Sequence, residues 1–159
     1  MPLKVGDLAG DFELQDYDGN FYSLSLAEGY KLLIFYKTTC PTCQLTLPFM
    51  EKLHRLYGGS VRIWGVVQDP PQEAQGFAKK YGLSFPQLID YPDYPASVDY
   101  HVEVVPTLYL ISPEGKVEFV SQSFVRAEIE RLTQMLASIS GLAYEDIFAG
   151  SSVPAFKPG

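Results

Sequence analysis

Two residues of this 159-residue chain stand out as chemistry: Cys40 and Cys43, its only cysteines, three positions apart in the run Cys40-Pro41-Thr42-Cys43. Thiol–disulfide exchange needs one thiolate to attack and a second thiol poised to resolve the mixed disulfide. A bridge over so short a loop restrains the unfolded chain little, and in a reducing compartment it does not persist as a passive staple. Two other readings compete. Cysteines also serve as small buried hydrophobes, and a Cys pair can be half of a zinc site. Zinc needs two more ligands, and the chain offers only His54 and His101, far apart and without a second pair motif. Redox chemistry without metal or organic cofactor is therefore the expectation.

The flanking elements must position the pair. Lys31 to Tyr36 is a short, continuously apolar run, the pattern of a strand buried on both faces. After the cysteines, Leu45, Phe49, Leu53 and Leu56 recur at helical spacing, predicting an amphipathic helix to about Tyr57. Pro41 suits a first helical turn, while Pro48 inside the helix is expected to kink it. Cys40 thus sits at a helix N-terminus, where unpaired N–H groups and the helix dipole favour negative charge. Cys43 lies one turn inside. This asymmetry predicts Cys40 as the attacking nucleophile and Cys43 as the buried resolving thiol.

Elsewhere, Asp18-Gly19 between apolar alternations signals a hairpin, and Val61 to Val67 reads as a second buried strand. Glu73 to Tyr81 reads as a helix capped by Gly82, Pro86 to Ile89 as a weaker strand, and Ala96 to Tyr100 as a short helix. Thr107 to Ile111 and Lys116 to Ser121 form a second hairpin around Ser112-Pro113-Glu114-Gly115, and Val125 to Ile139 is an amphipathic helix. The pattern is an α/β domain with a mixed sheet, spanning 1–140, followed by a draped or loose extension over 141–159. Hydrophobic residues make up 47% of the chain and charged residues 19%, a globular composition. The net charge of −7, with no basic cluster, makes nucleic acid an improbable partner. No run resembles a membrane span or a cleavable leader, which reads as cytoplasmic unless an exported protein has had its leader replaced.

The strand, the Cys-Pro-Thr-Cys run, Pro48 five positions past Cys43, and Val105-Pro106-Thr107 opening a later strand together resemble the thioredoxin superfamily over roughly residues 5 to 138. The resemblance implies that Pro106 is cis and packs against the redox pair, and that the Val105 backbone meets the bound substrate. Thr39, Pro41 and Thr42 would complete the substrate-facing surface around the cysteines. The segment Gln68 to Tyr91 is an insertion relative to simple thioredoxins. With the N-terminal hairpin and the Gly6-Asp7…Asp11-Phe12-Glu13-Leu14 opening, it is similar to the redoxin (AhpC/TSA-like) branch, which holds peroxiredoxins and cytochrome-maturation thiol–disulfide reductases.

The departures from these patterns are informative. Peroxiredoxins carry a Thr or Ser three positions before the peroxide-reacting cysteine; here Lys37 precedes Cys40 by three, and Cys40 itself precedes Cys43. The buried acid of thioredoxins, six before the nucleophile, is replaced by Ile34. The Glu of cytochrome-type reductases, three after the second cysteine, is replaced by Thr46, and the usual Trp before the first cysteine is Thr39. Lys37 is the candidate charge to favour a Cys40 thiolate. The Pro-Thr dipeptide predicts a potential less reducing than the roughly −270 mV of thioredoxin. The expected activity is disulfide exchange with protein or small-molecule thiols, re-reduced or re-oxidised by a thiol partner. A thiol peroxidase and a redox-inert binding domain of the same fold are the alternatives.

Overall fold

The computed structural model describes residues 1–159. Five strands build the central sheet: β3 (Tyr30–Tyr36), β4 (Val61–Val67), β5 (Gln87–Ile89), β6 (Thr107–Ile111) and β7 (Val117–Gln122). A short hairpin, β1 (Glu13–Gln15) and β2 (Phe21–Ser23), precedes them. Helices α1 (Pro41–Tyr57), α2 (Pro71–Tyr81), α3 (Pro95–Asp99) and α4 (Arg126–Ser140) lie between and after the strands. Two-residue strands β8 (Phe124–Val125) and β9 (Phe156–Lys157) pair antiparallel near the end of the chain.

The sheet order is β5-β4-β3-β6-β7. β3 pairs parallel with β4, and β4 with β5, while β6 runs antiparallel to β3 and β7 antiparallel to β6. This is the mixed α/β sheet that the sequence predicts, and β3 is its centre. Alternation along β3 divides the core. Leu32, Ile34 and Tyr36 face a 27-residue cluster with α1, α2 and α4, whereas Leu33 and Phe35 face a 12-residue cluster with Trp64, Tyr100 and the hairpin's Leu14. A strand covered on both faces must be apolar at every position, which is why β3 shows no polar–apolar alternation.

α1 runs unbroken across Pro48. Gly82 closes α2 at φ +66, the left-handed cap its position predicts. No helix is long and apolar enough to cross a membrane.

Of the two forms expected for residues 141–159, draped or loose, the structure shows the draped one. Ile147 and Phe148 are buried in the larger cluster, with the Phe148 ring 4.7 Å from that of Phe49 and 5.8 Å from that of Phe124. Lys52 Nζ donates to the Ile147 carbonyl at 3.1 Å, and the Tyr57 hydroxyl donates to the Ala143 carbonyl at 3.0 Å. Burying a phenylalanine is worth roughly 1.5–3 kcal/mol, enough to outweigh a Gly-, Ser- and Pro-rich composition. From this anchor the chain continues to β9.

Candidate active site

Three segments converge because β3 lies between β4 and β6. The end of β3 leads into Cys40; the parallel β4 ends beside it and leads into Asp69; the antiparallel β6 begins beside it, directly after the cis Val105–Pro106 bond. Crevices at the carboxyl ends of parallel strands are where open α/β sheets bind ligands.

Cys40 is the N-cap of α1, with extended backbone (φ −84, ψ 117). The Cys43 N–H donates to Cys40 Sγ at 3.2 Å, so the sulfur occupies the place of a capping oxygen. A thiolate there accepts a charge-assisted bond at the positive end of a helix. The Cys40 thiol donates to the Val105 carbonyl at 3.6 Å. Cys40 is partly exposed, Cys43 is wholly buried, and the two are unbridged.

Burial pushes the Cys43 thiol far above its ordinary range. Its hydrogen bond with Cys40 and the negative charges of Cys40 and Asp69 push in the same direction, while a bond from the Lys37 backbone opposes them. The Lys37 side chain itself is exposed, and its carbonyl accepts the Cys40 N–H at 3.3 Å. Thr39 and Pro41 stand exposed beside the pair. Thr42 does not: it is 2% exposed, and its hydroxyl donates to the Pro158 carbonyl. Pro106 is buried, and Val105 half-buried.

Several neighbours carry no motif. Asp69 Oδ2 accepts the Thr38 N–H at 2.7 Å, while Gln44 Nε2 donates to the Thr38 carbonyl at 2.9 Å. The peptide leading into Cys40 is thereby clamped from both sides. Tyr36 donates its hydroxyl to Gln87 Oε1 at 2.7 Å, and burial, then the charges of Asp69 and Cys43, push that phenol well above its usual range. It is a fixed donor rather than a base. Ile34 is buried in the core, and the Thr46 hydroxyl donates to its own helix at the Thr42 carbonyl, 2.7 Å away. Neither familiar position supplies an acid. Asp69 is the carboxylate whose charge acts on Cys43, and the signal for it was positional: two residues beyond a strand that parallels the one feeding Cys40.

Arg126, which opens α4, lies over the Phe148 ring at 5.4 Å and 3.8 Å from Glu130. Its guanidinium is taken up by packing and an ion pair on α4.

Comparison with known proteins agrees with this geometry. The AhpC/TSA family model matches residues 5–120. The thiol–disulfide oxidoreductase ResA of Geobacillus kaustophilus is 34% identical over 133 residues, covering 81% of this chain and 76% of the relative. Peroxiredoxin Bcp of Escherichia coli is 28% identical over 138 residues, covering 77% and 88%. Among solved structures, a Chlorobium tepidum protein assigned as the thiol:disulfide interchange protein DsbE superposes with a TM-score of 0.78 at 27% identity, covering 87% of this chain and 99% of its own. The mixed sheet, the redox pair at the start of α1 and these relatives agree: the chain belongs to the AhpC/TSA family, as a thioredoxin-like thiol–disulfide oxidoreductase.

Proposed function

We propose that the chain exchanges disulfides with protein substrates, with Cys40 as nucleophile and Cys43 as resolving thiol. In the reducing direction, the Cys40 thiolate attacks a substrate disulfide, the substrate S–S bond breaks, and one substrate sulfur leaves as thiolate. Cys43 then gives up its proton and attacks Cys40 Sγ, releasing the second substrate sulfur and leaving a Cys40–Cys43 disulfide. Two electrons pass to the substrate, and a thiol donor returns them to the pair. Every step reverses in the oxidising direction.

The observation that carries this reading is the unequal placement of the two sulfurs: Cys40 capping the helix and reachable, Cys43 sealed one turn inside. Asp69 is the carboxylate proposed to take the Cys43 proton: it sits at the segment leading into Cys40, where it accepts the Thr38 N–H, its charge acts on the Cys43 thiol, and neither familiar position supplies an acid. Val105, Pro106, Thr39 and Pro41 border the approach to Cys40, and Lys37 adds positive charge to it.

The test is capture. A Cys43→Ser variant mixed with a disulfide-containing protein should accumulate a Cys40 mixed disulfide, seen as a thiol-sensitive mass increment. Failure to form it while Cys40 still alkylates readily overturns the protein-disulfide reading. The match to a peroxiredoxin gives peroxide reduction a place as the second reading. Hydrogen peroxide oxidising the reduced pair faster than a protein disulfide does would favour it.

A further inference from the structure

The surface beside Cys40 already holds a peptide. After the anchor at Phe148 the chain turns back, and Phe156–Lys157 pair antiparallel with Phe124–Val125. The Arg126 N–H donates to the Ala155 carbonyl at 3.0 Å, and the Gly159 N–H to Ser123 Oγ at 3.0 Å. The Pro158 carbonyl accepts the hydroxyl of Thr42, the residue between the two cysteines. Gly159 lies so close to the Val105 carbonyl that a Cβ there would overlap its oxygen. That same oxygen accepts from Cys40 Sγ.

Ser123 explains the groove. It adopts φ +67 between β7 and β8, its N–H donates to the Pro106 carbonyl at 2.8 Å, and its hydroxyl is left facing the tail. Ser123, the edge of β8, the Val105 carbonyl and the Thr42 hydroxyl thus form one strip that reads an extended main chain, with room only for glycine against Val105. Main-chain pairing of this kind is how sheet edges take up extended peptides.

The occupant is held by its backbone and not by buried side chains. Phe156 is 58% exposed, and no residue after Phe148 is buried. An element of this type opens without disturbing the core.

We propose that segment 155–159 is a resident strand in the groove through which protein disulfides reach Cys40, and that it must unpair before such a substrate is attacked. This rests on the exchange function proposed above. The tail lowers the fraction of molecules competent for protein substrates, and the observed rate falls by that fraction.

Two variants test it: deletion of residues 156–159, and Gly159→Trp, which keeps the chain length but cannot seat against Val105. Both are assayed for insulin disulfide reduction and for reaction with the small aromatic disulfide DTNB. Each should reduce insulin about fivefold faster than the unaltered chain, by removing that population cost. The peptide Val-Pro-Ala-Phe-Lys-Pro-Gly added in trans should slow the deletion variant again. Unchanged insulin rates in both variants, with normal DTNB reaction, overturn the gating and leave disulfide exchange standing. A pair inert to DTNB in every form would overturn the exchange function and the gating with it.

Discussion

The two sides of the cysteine pair are built on opposite principles. On the inner side, Cys43 is wholly buried in the larger core cluster that also holds Tyr36, Ile34 and Leu47, and the hydroxyls of Tyr36 and Thr46 are committed to Gln87 and to the Thr42 carbonyl. On the outer side, Cys40 meets the carbonyl of half-buried Val105, and exposed Thr39 and Pro41 flank it, with a backbone-held strand running past Thr42 and Val105. The inner side has one proton to manage and no freedom to move. The outer side has no proton problem, and what matters there is access. A redox pair in one helical turn needs both, because an equally exposed second thiol would react with partners instead of resolving the first.

Cys40→Ser breaks the comparison outright. Disulfide reduction should fall to background, whereas Cys43→Ser should stall after one mixed disulfide; equal behaviour of the two variants would contradict the division of roles. Next in size is Asp69→Asn. Loss of the proton acceptor should slow release of the second product thiol by about a hundredfold, within the range of general-base effects, with mixed-disulfide formation little changed. Equal slowing of both steps would make Asp69 a positioning residue acting through the Thr38 peptide.

The inner side also predicts a pH dependence of stability. Burial raises the Cys43 thiol in the folded state above its ordinary 9.0, and raises the Tyr36 phenol as well. Raised groups contribute stability below their unfolded values and lose it as pH rises through that range. The urea midpoint of the reduced protein should therefore fall as pH climbs past 9, and Cys43→Ala should flatten part of that fall.

Smaller effects belong to the outer side. Equilibration with a glutathione buffer should give a potential less reducing than the roughly −270 mV of thioredoxin; a more reducing value would remove the Pro-Thr dipeptide as its determinant. Lys37→Ala should slow alkylation of Cys40 at neutral pH by about twofold, as an exposed charge in water is well screened. An unchanged rate at low salt would take Lys37 out of the mechanism.

Much of this was legible in residue order. An apolar run followed by Cys-Pro-Thr-Cys and a periodic helix places a cysteine at a helix N-terminus, because local hydrogen bonding and periodicity are properties of neighbouring residues. Gly82, Asp18-Gly19 and the core stripe of α1 follow for the same reason. Asp69 was not legible, since nothing in Gln68-Asp69-Pro70 marks it until β4 pairs in parallel with β3. Whether the extension drapes or stays loose was not legible either, because composition averages over residues, while one Phe seated between Phe49 and Phe124 fixes the segment.

By itself, then, the sequence singled out the two sulfurs proposed to react and Cys40 as the proposed leader, and it determined the kind of sheet that carries them. Those depend on interactions a few positions long. Only the tertiary structure decided which carboxylate's charge acts on Cys43 and that residues 155–159 run beside Thr42 and the Val105 carbonyl. Both bring together residues far apart in the chain, the first through strand pairing and the second through strand pairing and the Phe148 anchor.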